Sequence, residues 1–326
     1  MAVQADSAMF GHFDASVVAT DQDGGSDDQF FECTTCATGF RGSEDLGNGL
    51  QAILKLDSRH DISAVTSGGT LSGRDQWPGM ANSFGQARAA TISIVYQPHG
   101  AVIDPVSRST LQSGSRGLQS NLHPGAGSSG EGRAENAARH DNPGWNGLKF
   151  AATYTHAPDS NPGVNERIDD DNGYGAGVSY ENAGILLFAD YMTNDAGGDD
   201  EAYKLGGKVT FSNFSLMGQY EIDDGLITSQ AADTSGDGAN NWVLGGTFTL
   251  GNNTLFASYG RADGGDLLGN YSSWTLAGTH SMTRRTKLYA GFNSIDCDNP
   301  DTNVCSKAAD KGGEDEQFSL GMKHHF

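Results

Sequence analysis

The sequence predicts an all-β chain: a single transmembrane antiparallel β-barrel of about 16 strands with one long loop. Three observations predict it. The last residues, Asp315 to Phe326, alternate at a period of two. Phe318, Leu320, Met322, His324 and Phe326 fall on one face, and Gln317, Ser319, Gly321, Lys323 and His325 on the other. A strand with one face in hydrocarbon and the other in a watery lumen has this pattern, and an aromatic chain end suits a membrane interface. A soluble chain more often frays into a polar tail. Second, Gly accounts for 46 of the 326 residues and Pro for 8, a balance that weakens helices and suits strands and turns. Third, no run approaches the ~18 apolar residues of a membrane helix, as expected when only alternate positions face lipid.

The formal net charge of -21 argues against a nucleic-acid partner, because phosphate binding runs on Lys and Arg. The carboxylates gather in short stretches: Asp21, Asp23, Asp27 and Asp28; Asp169 to Asp171; Asp199, Asp200 and Glu201; Asp310, Glu314, Asp315 and Glu316. They read as solvated loops, and their excess is consistent with adaptation to high salt or with divalent-cation bridging at a cell surface. Four cysteines form two close pairs, Cys33 with Cys36 and Cys297 with Cys305. Two local disulfides are the simplest outcome in an oxidising compartment; other connectivities and a four-ligand zinc site stay open. Met1 to Ala5 lacks the basic start and apolar core of a cleavable signal, so Met1 reads as a start placed before a mature N-terminus.

Taken in order, the first strand runs from Ala8 to Val18, with Phe13, Ala15 and Val17 opposite His12, Asp14 and Ser16. After an acidic loop comes Thr38 to Leu50, turning at Gly47-Asn48-Gly49 into a strand with Leu50, Ala52, Leu54 and Leu56 on one face. Asn-Gly between alternating runs is a strong hairpin signal. The next hairpin, Arg74 to Ala81 and Ala87 to Tyr96, turns at Ser83 to Gly85; Pro78 inside it predicts a kink or bulge, since Pro removes a ladder donor. Pro98 to Gly132 has no sustained periodicity, and so long a segment inside a barrel is expected to be functional. Arg133 to Pro143 resumes the pattern, followed by Leu148, Phe150, Ala152 and Tyr154 on one face. Hairpins then span Tyr174 to Tyr191, Tyr203 to Ile222, Trp242 to Tyr259 and Trp274 to Phe292. Trp145, Trp242, Trp274 and Tyr271 read as interface girdles.

Several of these stretches resemble the general trimeric porins of Gram-negative bacteria. The turn Gly39-Phe40-Arg41-Gly42-Ser43-Glu44-Asp45-Leu46-Gly47-Asn48-Gly49-Leu50 is similar to the family's second hairpin. Val102 to Val106 resembles the start of its third loop, and Arg133 to Pro143 resembles the strand after it. The terminal strand and the Thr283 to Arg285 turn are also family-like. The resemblance implies one barrel domain over residues 1–326 in the bacterial outer membrane. It further implies a constriction loop (98–132) folded into the lumen, a homotrimer, contact with lipid and lipopolysaccharide, and small ions and solutes in transit.

A pore selects through fixed charges at its narrowest point. The resemblance implies Arg133 and Arg139 as basic wall residues and Asp104 as their acidic counterpart on the loop. Arg133, Glu135, Ala137, Arg139 and Asp141 share one strand face against Ala134, Asn136, Ala138 and His140, and Arg41 shares a face with Ala37 and Gly39. The candidate pore residues are therefore Arg41, Asp75, Asp104, Arg133, Glu135 and Arg139. Where anion-preferring relatives carry further wall arginines this chain has Ala37 and Asp75, with Ala90-Thr91 in place of a Gly-Arg pair, so a weak cation preference is expected. Neither a metal-ligand spacing among the histidines nor a Gly-x-Ser-x-Gly elbow is present, so no metal, cofactor or enzyme activity is predicted. The rivals are a substrate-specific channel and a secreted β-rich adhesin or surface protein.

Overall fold

The computed structural model describes residues 5–22, 28–33, 35–60, 72–107, 109–111, 133–156, 172–194, 201–224, 239–263, 270–298 and 313–326. Almost all of them are strand. In chain order the elements are β1 (Ala5–Gln22), β2 (Asp28–Cys33), β3 (Ala37–Gly47), β4 (Leu50–Arg59), β5 (Ser72–Asn82), β6 (Gly85–Ser93) and a short helix α1 (Gln97–Val102). They continue with β7 (Arg133–Asp141), β8 (Leu148–Thr155), β9 (Gly173–Asn182), β10 (Ile185–Asn194), β11 (Glu201–Phe211) and β12 (Phe214–Asp224). The last are β13 (Ala239–Leu250), β14 (Asn253–Asp263), β15 (Asn270–Ser281), β16 (Thr286–Cys297) and β17 (Gly313–His325).

Apart from β2 and β3, chain neighbours pair antiparallel, and β1 closes the sheet by pairing with β17, from His12↔His325 to Gln22↔Asp315. The other edge of β1 pairs first with β3, from Ala5↔Glu44 to His12↔Ala37, and then with β2, from Ala15↔Cys33 to Thr20↔Asp28. β2 and β3 are thus two halves of one stave, and the 17-stranded sheet is a 16-stave barrel. A disulfide between Cys33 and Cys36, with Cα atoms 5.7 Å apart, bridges the break. Closure leaves no open sheet edge, which a strand-built wall in lipid requires because hydrocarbon offers no hydrogen-bond partner.

The two faces differ as the alternation predicts. On β11, Ala202 and Lys204 are buried while Tyr203, Leu205, Val209 and Phe211 are exposed; on β17, Gln317, Ser319 and Gly321 are buried while Phe318, Leu320 and Met322 are exposed. Leu205, Leu216, Leu244 and Leu255 belong to the same outward apolar belt. Aromatic pairs ride on it, among them Tyr154–Tyr174, Tyr191–Tyr203, Trp242–Tyr259 and Trp274–Phe292. The hairpin turn at Gly47, Asn48 and Gly49 has φ of 87°, 55° and 76°, the left-handed region that Gly and Asn reach at least cost.

Several expectations change. The acidic stretches are not confined to loops: Asp21 lies on β1, Asp28 on β2, Glu201 on β11 and Glu314 to Glu316 on β17, where Asp315 is buried. Tyr271 is not a girdle residue. It is 1% exposed and packs inside with Val243, Ala262, Ile295 and Cys297. At Pro78 the β5–β6 pairing is interrupted, from Gln76↔Thr91 to Gly79↔Arg88, at unchanged register, and the register shift of β5 falls a little earlier, against β4 between Gly73 and Gln76. Alternation on β7 is broken by a register shift opposite Ala90 and Ile92, with Asn136 at φ 50°. Ala134 and Ala137, which strict alternation separates, therefore pack in one interior cluster. The second cysteine pair is half visible: Cys297 ends β16, and Cys305 lies outside the described residues, as do 112–132 of the long loop.

Candidate functional site

The segment after β6 turns inward. Ile94, Val95 and Tyr96 are each 1% exposed, and α1 follows with Pro98 in its first turn, where a missing N–H costs nothing. Ile103, Val106 and Leu111 pack against Leu186, Phe188, Met217, Phe256, Ala277 and Tyr289, which face the interior from β10, β12, β14, β15 and β16. Residues 96–107 and 109–111 thus lie within the barrel against its far side. Gly291 makes room for it, since a Cβ there would stand 2.7 Å from Leu111 Cδ1.

Polar contacts hold both ends. Near α1, Lys204 Nζ donates to the Tyr96 carbonyl, lies 3.9 Å from the centre of the Tyr96 ring, and is 3.9 Å from Asp190 Oδ2 and 3.7 Å from Glu221 Oε1. His99 stacks on Phe188 at 5.0 Å, with Nδ1 2.8 Å from Asp190 Oδ1. At the other end Lys323 Nζ donates to the Ser107 carbonyl, Thr110 Oγ1 donates to Ser319 Oγ at 2.8 Å, and Gln317 Nε2 donates to the Thr110 carbonyl at 3.1 Å.

The opposite wall, β3 to β7, carries the charges. Lys55 Nζ is 2.7 Å from Asp75 Oδ2 and 3.8 Å from Asp57 Oδ2, and Arg74 Nε is 3.2 Å from the same Asp57 oxygen. Arg133 Nε lies 3.3 Å from Asp75 Oδ1, an oxygen that also accepts from Ser93 N at 2.9 Å and Ser93 Oγ at 2.7 Å. Further along β7, Asp141 is bound by Arg139 and, from β6, by Arg88, whose guanidinium lies 5.0 Å from the Trp77 ring centre. Charge-assisted contacts of this length fix the side chains along the wall. Each of Asp75 and Asp141 stands between two cations.

Of the sequence candidates, Asp75 and Arg133 are brought together, and Arg139 joins the same wall through Asp141. Arg41 is exposed and sits opposite Lys55 in the β3–β4 register. Glu135 is exposed at the β7 irregularity and has no ion pair among the described residues. Asp104 is 5% exposed, borders a small cavity with Met217, Val243 and Phe256, and accepts from the Val106 N–H at 2.9 Å, holding its own turn. Sequence reasoning missed Lys55, Asp57, Arg74 and Arg88. The first two were within reach, because Leu54 and Leu56 on the outer face put Lys55 and Asp57 on the inner one. No group of three or more metal-ligating side chains occurs among the described residues.

A model of the Gram-negative porin family matches residues 1–300. An outer membrane porin protein of Bordetella pertussis is 26% identical over 295 residues, covering 77% of this chain and 74% of that protein. The major outer membrane protein P.IB of Neisseria meningitidis is 24% identical over 305 residues, covering 88% and 86%. Among solved structures, an anion-selective porin from Comamonas acidovorans superposes with a TM-score of 0.80 at 20% identity, over 99% of this chain and 100% of that one. The OmpF of Salmonella typhi, in a complex with daunomycin, gives 0.74 at 16% identity over 98% and 97%. The closed barrel agrees with these likenesses: the chain belongs to the Gram-negative porins, channel proteins of the outer membrane.

Proposed function

We propose that residues 97–111 and the β3–β7 wall form the constriction of a general diffusion channel. Small hydrophilic solutes and ions pass it without a dedicated binding step, with a weak lean toward cations. The observation that carries this reading is the interleaving of charge on the wall. Asp75 lies between Lys55 and Arg133, and Asp141 between Arg88 and Arg139. Paired charges present a short-range alternating field rather than the continuous basic strip that concentrates anions. The net charge of -21 on the whole chain then supplies the sign at the mouths. In this reading Arg41, Asp75, Arg133 and Arg139 line the passage and Glu135 stands beside it, while Asp104 contributes by shaping the loop.

The outward apolar belt with its aromatic pairs suits contact with outer-membrane lipid and lipopolysaccharide, and the likeness of the second hairpin to trimeric porins supports a homotrimer. The test is single-channel recording in a planar bilayer under a KCl gradient. Stepwise conductance with a small cation-directed reversal potential is expected. Anion preference would overturn the charge argument, and saturable block by one solute would replace the general channel with a substrate-specific one.

A further inference from the structure

A buried lysine and a half-buried one on the far side share one arrangement. Lys204 on β11 donates to the Tyr96 carbonyl, sits 3.9 Å from the Tyr96 ring centre and is flanked by Asp190 and Glu221. Lys323 on β17 donates to the Ser107 carbonyl, sits 5.6 Å from the Tyr289 ring centre and is 3.6 Å from Asp14 Oδ2. In both cases an ammonium reaches a main-chain oxygen of the inner segment, rests on an aromatic face and is balanced by wall carboxylates. The supports are themselves held: Asn241 Nδ2 donates to Glu221 at 2.8 Å, His99 meets Asp190, and Tyr289 Oη donates to Asp14 at 2.7 Å.

We propose that Lys204 and Lys323 are positioning residues, a pair of clamps that fix the two ends of segment 96–107 and thereby set the bore. A buried charge is expensive unless paired and hydrogen-bonded, so a lysine with essentially no exposed surface, as Lys204 is, has a single well-defined position. Its donor proton goes to a main-chain carbonyl, so the clamp holds the backbone itself and not one replaceable side chain. Between the clamps the contacts are mostly apolar and non-directional, from Ile103 and Val106 onto Phe188, Met217 and Phe256. Such contacts favour burial without dictating register along the wall. The two carbonyl contacts, with the His99 ring on Asp190 between them, supply the register.

This inference rests on reading the segment as the constriction, and two measurements separate the two ideas. Lys204→Met and Lys323→Met are first confirmed as folded barrels by heat-modifiable gel mobility and circular dichroism. Should the Lys204 variant not fold, combining it with Asp190→Asn and Glu221→Gln removes the unpaired buried carboxylates. Amide hydrogen exchange of residues 96–111 in detergent-folded protein is expected to rise several-fold in each variant, and open-channel current noise to rise with it. Adding Thr110→Cys and Ser319→Cys to Lys323→Met, whose parent oxygens are 2.8 Å apart, is expected to restore quiet channels on oxidation and lose them on reduction. Wild-type exchange in both variants would overturn the clamps. Raised exchange with unchanged conductance and noise would uphold the clamps and remove the segment from the constriction.

Discussion

Arg139 and Asp141 stand two residues apart on β7 and are joined by three nitrogen–oxygen contacts, Nη2 at 2.6 Å and Nε at 3.0 and 3.1 Å. Residues i and i+2 share a strand face, so the pair lies flat along the lumen wall, with Arg88 of the neighbouring strand on the same carboxylate. One negative charge thus compensates two guanidiniums. Asp141→Asn releases both, and the expected outcome is a reversal potential shifted toward anions with conductance retained. Bilayer recording under a KCl gradient checks it, and an unchanged potential would place this pair outside the selective section.

Asp75 offers a parallel case with a different geometry, since it accepts from Ser93 as well as from Lys55 and Arg133. Asp75→Asn is expected to shift selectivity the same way as Asp141→Asn. The double variant should shift it further than either single, because each change uncovers its own two cations. Additivity in the reversal potential is the quantity to read.

The disulfide at the broken stave is expected to matter for stability and not for permeation. Closing a loop between Cys33 and Cys36, three positions apart, is worth about 2 kcal/mol in the chain-entropy model. Cys33→Ser with Cys36→Ser should lower the urea midpoint accordingly while single-channel conductance stays at the wild-type value.

A charge on the outer belt should be costly where the same charge inside is not. Leu244 is 62% exposed near the middle of β13, and Leu244→Arg is expected to lose about 2–4 kcal/mol of barrel stability in lipid. Refolding titrations into vesicles measure it. A loss well under that range would mean that the residue sits near an interface.

The surplus of carboxylates gives a salt prediction. With a net charge of -21 the chain repels itself, and salt screens that repulsion over roughly 10 Å at 0.1 M and 3 Å at 1 M. The melting temperature of the folded barrel should therefore rise between low and molar KCl. A flat series would end the idea that the acidity serves a saline habitat.

The barrel was legible because its signal is local: the two-residue period on β11 and β17, and Gly-Asn-Gly at a turn, need no knowledge of the rest of the chain. The departures come from contacts that sequence spacing does not report. Lys204 and Tyr96 are 108 positions apart, and nothing near Lys204 announces that it closes on a loop carbonyl. Asp104 reads as a pore charge because its neighbours match the family pattern, and spacing does not report that its carboxylate also accepts from the Val106 N–H in a local turn. The single inserted residue at Glu135–Asn136 is invisible to an alternation argument that assumes an unbroken ladder. β2 was hidden for another reason: its six residues, Asp28-Gln29-Phe30-Phe31-Glu32-Cys33, do not alternate at a period of two, and the neighbouring Phe30 and Phe31 are both exposed.

The seam between β1 and β17 bears on how this molecule comes into being. Its pairing joins His12 to His325, so the contact that completes the cylinder spans nearly the whole chain. Hairpins such as β11–β12 can zip locally, but the seam carries the largest loop-closure entropy in the sheet and cannot form until β17 has been made. Up to that moment two rows of main-chain donors and acceptors face outward with no partner, which hydrocarbon does not tolerate. Insertion and closure are therefore expected to be one concerted event, and a chain stalled before β17 is a species with two adhesive edges, suited to misassembly and to capture by a chaperone.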